Sequence, residues 1–221
     1  MNIVIIGPPG SGKGTQAKLL VERLDAHYFQ SGEILRRKAK EKTPLGRKID
    51  RLINQAGQLV SDQLMAEIVN DWLDRVGVEK GIVFDGYPRQ ISQYQTLTKI
   101  LASRGTEIDK VIYLKVSQKT AGQRLAARRV CPRCGRGYNL LTRPPKEDQL
   151  CDCCQVELIQ RQDDTPSVIK TRLETYHRLT QPLVAFLRQR GILIEIDGER
   201  SIEAIHQEIM KQIEKDEPNQ N

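Results

Sequence analysis

The chain has few aromatic residues and no long apolar segment. Phe, Trp and Tyr make up 5% of its 221 residues, which leaves few flat surfaces on which nucleic acid bases could stack. No apolar run approaches the roughly 20 residues that a membrane-spanning helix needs. The first apolar run, in MNIVIIG, is too short for a secretory signal. We therefore expect a cytoplasmic protein with no membrane partner.

Cysteine is absent outside residues 131–154. Four of the five cysteines form the pattern C-x₂-C, sixteen residues, C-x₂-C, which lies within the spacing of a zinc ribbon. Four thiolates make a closed tetrahedral site, so we predict a structural Zn²⁺ rather than a catalytic one. Cys153 would fit only a C-x-C pair, which suits a zinc knuckle less well, and we expect it to be a bystander. The predicted ligands are Cys131, Cys134, Cys151 and Cys154.

The bulk composition fits a folded protein with anionic partners. Hydrophobic residues make up 38% of the chain and charged residues 29%, which excludes a disordered chain. The net charge of +7 favours nucleic acid, membrane surfaces or phosphorylated small molecules, and does not choose among them. A solvated basic face remains the alternative.

Short apolar segments alternate with helical patterns along the chain. The alternation predicts an α/β fold with a five-stranded parallel sheet and helices on both faces, which binds ligands beyond the carboxyl ends of its strands. The predicted strands are 3–6, 27–30, 81–85, 110–116 and 192–197. The predicted helices are 17–24, 32–42, 45–56, 61–76, 90–103, 117–129, 165–190 with a bend at Pro182, and 201–215.

Two charged inserts interrupt this pattern. We predict a core of residues 1–30, 61–123 and 161–221, a helical insert at 31–60 and a second insert at 124–160, which we call the lid. The lid has too few large apolar residues to fold around its own core, so a zinc ion would supply its order. Residues 217–221 are expected to form a frayed tail.

The segment GPPGSGKGT, residues 7–15, lies between the first strand and the first helix. Gly7, Gly10 and Gly12 let backbone N–H groups turn inward around an anion, and the helix N-terminus adds partial positive charge. Lys13 would reach the outer phosphates of a nucleotide. A glycine-rich turn without a ligand is the alternative, but strand, loop and helix stand in the order that a phosphate-binding loop requires.

The loop departs from G-x-x-x-x-G-K-[ST], because Gly14 follows the lysine and Thr15 comes one residue late. Five later segments accompany it: SGEILR (31–36), GQLVSD (57–62), FDGYPRQISQ (84–93), QRLAARRV (123–130) and RQDDTPSVIKTR (161–172). In this order, the six segments resemble the adenylate kinase family, whose loop carries Lys-Gly-Thr. The resemblance runs from Asn2 to about Arg200. Glu33 and Tyr87 are mild departures, since the family has aspartate and phenylalanine there.

The resemblance implies Mg²⁺-dependent phosphoryl transfer from ATP to AMP, giving two ADP, by a monomer with a long zinc-binding lid. It implies that ATP contacts Gly10, Ser11, Gly12, Lys13, Gly14, Thr15, Arg128, Gly137, Tyr138 and Arg200, with Asp197 and Gly198 near the base. It implies that AMP contacts Ser31, Arg36, Gln58, Leu59, Val60, Gly86, Tyr87, Pro88, Arg89, Gln93, Arg161 and Arg172. The implied catalytic residues are Lys13, Asp85, Arg89, Arg124, Arg128, Arg161 and Arg172.

The residue types agree with these roles in outline. Asp85 ends an apolar strand, where a carboxylate can meet a metal carried by phosphates. Arg89 has the planar fork that suits a phosphate, and Gln93 has the donor and acceptor that match one edge of adenine. Arg124 and Arg128 stand four residues apart, which predicts one helical face. Taken singly, each of these residues is also compatible with an exposed position in water.

No histidine or carboxylate stands out as a general base. His27, His177 and His206 lie outside every motif, and we expect them to be structural or exposed. A kinase that acts on a hydroxyl needs a carboxylate to accept its proton. A phosphate acceptor is already ionised near neutral pH, so Lys, Arg and Mg²⁺ would suffice through positioning and charge neutralisation.

Three other functions remain open at this point. A nucleic-acid-binding ATPase with its ribbon on DNA or RNA fits the basic charge, although the low aromatic content disfavours it. A nucleoside monophosphate kinase for UMP, CMP or GMP would share the motifs, and Gln93 and the zinc lid favour AMP over these. An inactive phosphate-loop protein is disfavoured by the intact Lys13 and the arginines.

Overall fold

The computed structural model describes residues 1–215, so the tail predicted at 217–221 lies outside the described residues. Five strands form one parallel sheet in the order β2-β3-β1-β4-β7, and β5 and β6 form a separate antiparallel pair. The predicted five-stranded parallel sheet is therefore confirmed. The strands are β1 Asn2–Ile6, β2 His27–Gln30, β3 Ile82–Asp85, β4 Lys110–Lys115, β5 Arg128–Val130, β6 Gly137–Asn139 and β7 Leu193–Asp197.

Helices connect the strands and cover both faces of the sheet. Ser61 caps α4 as predicted, because its Oγ accepts a hydrogen bond from the Leu64 amide at 3.3 Å. The helices are α1 Lys13–Leu24, α2 Ser31–Ala39, α3 Pro44–Asp50, α4 Asp62–Val76, α5 Ile91–Ala102, α6 Gln118–Ala126, α7 Pro166–Thr175, α8 Gln181–Gln189 and α9 Ile202–Glu214. Shorter helical segments are the π-helical Arg51–Gln55 and Tyr176–Thr180 and the 3₁₀-helical Gln162–Asp164.

Strand β1 shows why the sheet needs helices on both sides. All five of its residues are buried, and successive side chains point to opposite faces. Val4 and Ile6 belong to the apolar cluster that includes α4, α5 and α8, whereas Ile3 and Ile5 belong to the cluster with α1 and α9. A parallel strand covered on both faces reads as a continuous apolar run, which is what the sequence has here.

Helix α6 ends earlier than predicted. The helix ends at Ala126, and Arg128 begins β5, where it pairs with Asn139 of β6. The predicted extension to residue 129 is wrong, and so is the shared helical face of Arg124 and Arg128. Strand pairing explains the difference, because Val130 also exchanges backbone hydrogen bonds of 2.8 and 2.9 Å with Ile159.

The predicted long helix over 165–190 is divided by a widened turn. The π-helical segment Tyr176–Thr180 separates α7 from α8, and Pro182 lies in the first turn of α8. Proline has no N–H and its ring crowds the preceding turn, so a π-helical turn just before it accommodates the ring without ending the helical path. Thr165 and Pro166 begin α7 as predicted.

The two inserts differ in how they are ordered. Residues 31–60 carry α2, α3 and a π-helical segment, and Ile34, Leu35 and Ile49 join the main apolar cluster. Residues 124–160 carry β5, β6 and a separate small cluster that includes Cys131, Cys151 and Leu158. Within residues 1–215, no helix combines the length and apolar character that crossing a membrane demands.

Candidate active site

The loop between β1 and α1 has a backbone that only glycine adopts easily. Gly10 and Gly12 have φ values of 86° and 93°, in the left-handed region. A Cβ atom on Gly10 would lie 2.4 Å from the carbonyl oxygen of Ala121, so this position has no room for a side chain. Ser11, between the two glycines, is fully buried. The loop thus stands at the carboxyl end of the central strand, as predicted.

Lys13 lies folded against this loop. Its Nζ donates to the carbonyl oxygens of Gly7 and Pro8, both at 2.8 Å. Burial is the main cause that lowers the pKa of Lys13 to about 7; Asp85 opposes the shift, and nearby arginines add to it. A phosphate bound in the loop would supply negative charge that favours the protonated ammonium form of Lys13.

Asp85 lies beside the start of helix α1. It ends β3 and pairs in register with Ile5 of β1, which brings its carboxylate to the phosphate loop. Its Oδ2 accepts a hydrogen bond from the hydroxyl of Tyr28 at 3.0 Å, and a Cβ atom on Gly14 would lie 3.2 Å from the same oxygen. Burial, with Asp85 nearby, raises the pKa of Tyr28, so this hydroxyl keeps its proton and remains a donor. Tyr28 was not predicted as a site residue from the sequence.

A pocket opens between α2, the start of α4 and the segment after β3. Ten of the twelve residues predicted to contact AMP line it, and Pro88 and Arg161 are the two that do not appear among its described lining residues. The ten are Ser31, Arg36, Gln58, Leu59, Val60, Gly86, Tyr87, Arg89, Gln93 and Arg172. Six further lining residues were not predicted from the sequence: Gly32, Leu35, Ile53, Gly57, Met65 and Asp163.

Hydrogen bonds fix the wall of this pocket that follows β3. Ser31 Oγ donates to the carbonyl oxygen of Asp85 at 3.2 Å, and Arg89 Nε donates to the carbonyl oxygen of Gly86 at 2.7 Å. Burial lowers the pKa of Arg89, with Asp85 opposing the shift. The guanidinium group is held in a desolvated position, where an anion would be bound strongly.

Two adjacent aspartates gather arginines from three segments of the chain. Asp164 is fully buried, and its carboxylate accepts hydrogen bonds from both Arg128, at 2.7 Å to Nε, and Arg172, at 2.8 Å to Nη1. Asp163 accepts two hydrogen bonds from Arg161, at 2.8 and 2.9 Å, and lies 3.9 Å from Arg36. We call these two aspartates and four arginines the arginine cluster.

The charges of this cluster depend on one another. Burial opposes ionisation of Asp163, but Arg161, Arg172 and their neighbours outweigh it and lower its pKa to about 2. Burial, followed by the charge of Arg128, lowers the pKa of Arg161 to about 10. The four arginines were predicted as site residues from the sequence, whereas the two aspartates were not. Two adjacent acidic residues in RQDDTP, between Arg161 and a helix start, were the available signal.

Arg124 lies outside the arginine cluster. Its Nη1 donates to the carbonyl oxygen of Gly198 at 2.7 Å, which ties α6 to the loop after β7. Its own carbonyl oxygen accepts a hydrogen bond from Asn139 at 2.7 Å, so the same residue also joins α6 to β6. Arg200 is exposed in the loop after Gly198. The structure therefore places Arg124 between the loop after β7 and strand β6.

The four predicted cysteine ligands come together within the predicted lid. All four sulfur atoms lie within 4.8 Å of one another, and those of Cys134 and Cys151 are 3.7 Å apart. A tetrahedral Zn²⁺ with Zn–S bonds of about 2.3 Å needs sulfur atoms roughly 3.8 Å apart, so the donor set fits this ion. Cys153 is exposed and outside the cluster, as predicted.

Tyr138 supports the cysteine cluster from within the lid. Its ring is buried, and its hydroxyl donates to the Cys151 sulfur at 3.4 Å while it accepts from the Asp152 amide at 2.9 Å. This donation is the largest cause that lowers the pKa of Cys151 to about 6, which favours the thiolate that a metal needs. The ring therefore faces the cysteines, and only the backbone of Tyr138 and of the exposed Gly137 is left for a nucleotide.

The family model for adenylate kinase matches residues 5–192. The chain belongs to the adenylate kinase family. An adenylate kinase of Kosmotoga olearia is 43% identical over 97% of this chain and 99% of its own length. An adenylate kinase of Pelobacter propionicus is 44% identical over 97% of each chain, and one of Clostridium novyi is 41% identical over 98% of this chain and its own full length. The resemblance seen in the six sequence segments is therefore confirmed for almost the whole chain.

Proposed function

We propose that the protein catalyses the reversible, Mg²⁺-dependent transfer of a phosphoryl group from ATP to AMP, giving two ADP. One observation carries the proposal: the phosphate loop and the acceptor pocket converge on the same arginines. Arg89 and Arg172 line the pocket, and both are close enough to Lys13 to lower its pKa. Two phosphate-binding sites that share their cations suit transfer between two nucleotides.

The chain's own groups neutralise and orient the reacting phosphates in this proposal. Lys13 and Arg128 serve the donor phosphates, and Arg36, Arg89 and Arg172 serve the acceptor phosphate. Asp85 would hold the Mg²⁺ that arrives with ATP, directly or through water; this ion supplies charge neutralisation. No side chain is assigned as general base, because a phosphate oxygen attacks in its ionised form.

The arrangement of inserts suggests how water is excluded. We propose a core of residues 1–30, 61–123 and 161–221, an AMP-binding insert at 31–60 and a lid at 124–160 that closes over ATP. Closure would enclose the phosphates beside the arginine cluster and keep the phosphoryl group from water. Arg128 supports this proposal, since it lies at the base of the lid and pairs with Asp164 of the core.

The lid is proposed to hold a structural Zn²⁺ through Cys131, Cys134, Cys151 and Cys154. A site with four thiolates has no open position for chemistry, so the ion would order the lid. Such a site persists where thiols are kept reduced, which supports a cytoplasmic location. We propose that the protein acts as a monomer on ATP, AMP and ADP. A nucleic acid partner is not proposed, because Arg128, Arg161 and Arg172 are engaged at the proposed phosphate sites.

The acceptor base is proposed to be adenine. Gln93 lines the pocket, and its amide supplies one donor and one acceptor for a base edge. A kinase for another nucleoside monophosphate is the second candidate, and it would use the same loop and arginines. The two candidates differ only in which monophosphate accepts the phosphoryl group.

The proposal is tested by measuring phosphoryl transfer from Mg-ATP to AMP, GMP, IMP, UMP and CMP. Lys13→Ala is the inactivating variant, and Lys18→Ala, an exposed lysine on the same helix, is the matched control. We expect strong preference for AMP, loss of activity by roughly 100-fold or more in Lys13→Ala, and little change in Lys18→Ala. Preference for another monophosphate would support the second candidate, and no transfer to any acceptor would refute both.

A further inference from the structure

Asp62 receives three side-chain hydrogen bonds at the edge of the acceptor pocket. It is the first residue of α4, and its donors stand at the start of α5: Gln90 Nε2, Ser92 Oγ at 2.6 Å and Gln93 Nε2 at 2.9 Å. Burial opposes the ionisation of Asp62, but these three donors outweigh it and lower its pKa. The carboxylate is therefore ionised near neutral pH and acts only as an acceptor.

This carboxylate determines how the Gln93 amide is turned. A carboxylate has no proton to donate, so the group that faces it must be the amide nitrogen. The amide oxygen is held at its other side, where it accepts from the Arg89 backbone N–H at 2.8 Å. Rotating the amide by 180° would set oxygen against carboxylate and nitrogen against N–H, and Gln93 is 2% exposed, which leaves no water to compensate.

A fixed amide presents one order of donor and acceptor to a base. After these two hydrogen bonds, the amide retains one N–H and one acceptor site. A 6-aminopurine offers a donor at N6 and an acceptor at N1, whereas a 6-oxopurine offers an acceptor at O6 and a donor at N1. A free amide would serve both bases by turning over, but an amide held at both ends serves only one.

We propose that Asp62 is a specificity-determining positioning residue, which locks the Gln93 amide in the orientation that accepts 6-aminopurine and rejects 6-oxopurine monophosphates. The inference rests on the proposed function, in which Gln93 contacts the acceptor base. Asp62 acts through Gln93 and does not itself line that pocket among the described residues. Asp62 would thus add discrimination against 6-oxopurines to the hydrogen bonds by which Gln93 binds 6-aminopurines.

The test is the substitution Asp62→Asn, which keeps nearly the same side-chain shape but introduces a donor beside the acceptor. The substituted amide would accept from the Gln93 nitrogen or donate to the Gln93 oxygen, so one barrier to turning is removed. We expect the ratio of kcat/KM for AMP to kcat/KM for IMP to fall by roughly 5-fold or more, a change typical of base discrimination by paired hydrogen bonds. Asp71→Asn, an exposed aspartate on the same helix, is the matched control and should leave the ratio unchanged.

A double variant separates this role from a general loss of structure. If Asp62 acts through Gln93, Asp62→Asn should not change the AMP to IMP ratio further in a Gln93→Leu background. Asp62→Ser, whose hydroxyl also donates and accepts, repeats the test if the Asn variant unfolds below the assay temperature.

Three outcomes are distinguishable. A lowered AMP to IMP ratio that requires Gln93 supports the proposed positioning role of Asp62. An AMP to IMP ratio that stays within about 2-fold of wild type in both Asp62 variants overturns this role and leaves the proposed function standing. The same holds if the ratio falls equally in the Gln93→Leu background. A wild-type protein that does not phosphorylate AMP refutes the proposed function, and with it the inference.

Discussion

Asp164→Asn is expected to destabilise the protein strongly, although the substitution hardly changes side-chain size. The carboxylate is fully buried and accepts from two arginines, Arg128 and Arg172. The amide of Asn would remove the counter-charge of Arg128, would leave Arg172 paired only with Asp163 at 3.3 Å, and would turn a donor toward one of the guanidinium groups. Removing one partner of a buried ion pair costs about 3–5 kcal/mol in the free energy of unfolding.

The two arginine side chains are 24% and 18% exposed, so water screens part of this loss, and we expect the lower end, about 3 kcal/mol. For a chain of this size, each kcal/mol lowers Tm by roughly 2–4 °C, which gives a decrease of about 6–12 °C. Calorimetry or circular dichroism at a fixed heating rate would measure it. The variant should also lose activity, because Arg128 and Arg172 are proposed to hold the phosphates.

The matched control is Asp74→Asn, which breaks an exposed pair with Arg104. Asp74 accepts from Arg104 Nη2 at 2.6 Å, but its side chain is 66% exposed, and such pairs contribute about 0–1 kcal/mol. Its Tm should therefore change by less than about 4 °C. Equal shifts in the two variants, or a shift under about 2 °C in Asp164→Asn, would refute the view that burial makes this pair important.

Two further predictions concern metal and proton binding. Removal of the metal by a chelator, with the thiols intact, should lower Tm while the far-ultraviolet circular dichroism of the core persists. The reason is that the lid cluster around Cys131 and Cys151 has little apolar surface of its own. An unchanged melting curve would contradict the structural role of the metal. Because the pKa of Lys13 is lowered to about 7, most molecules of the free protein lack this proton at pH 8, and bound phosphates that raise the pKa should cause its uptake. Calorimetric titration with Mg-ATP in two buffers should show proton uptake on binding at pH 8 that vanishes at pH 6. Binding of Mg-ATP at pH 8 without proton uptake would disprove the lowered pKa of Lys13.

The parts of the structure that local patterns determine could be predicted from the sequence. An apolar run, three glycines and a lysine in fixed order define β1, the phosphate loop and α1, because each depends on residues adjacent in the chain. The pairs of cysteines likewise predicted the lid cluster that the structure brings together. Ten of twelve residues assigned to the acceptor pocket by family resemblance also line one pocket.

The features that the sequence did not reveal depend on contacts between distant segments. Arg128 follows a segment of good helix formers, but it lies in strand β5 because β5 pairs with Gly137–Asn139 and Ile159. The burial of Asp163 and Asp164 depends on arginines far apart in the chain, so the pair read alone resembles an exposed acidic turn. Asp62 resembles an ordinary acidic residue in the first turn of a helix until α5 is placed against it.

Phosphoryl transfer between two nucleotides is tested by incubating the purified protein with ADP and Mg²⁺ alone, without ATP or AMP. We expect that ADP disappears, that ATP and AMP appear in equal amounts, which ³¹P NMR or chromatography would quantify, and that Lys13→Ala abolishes the conversion. Formation of AMP with inorganic phosphate and no ATP, or no reaction at all, would contradict phosphoryl transfer between two nucleotides.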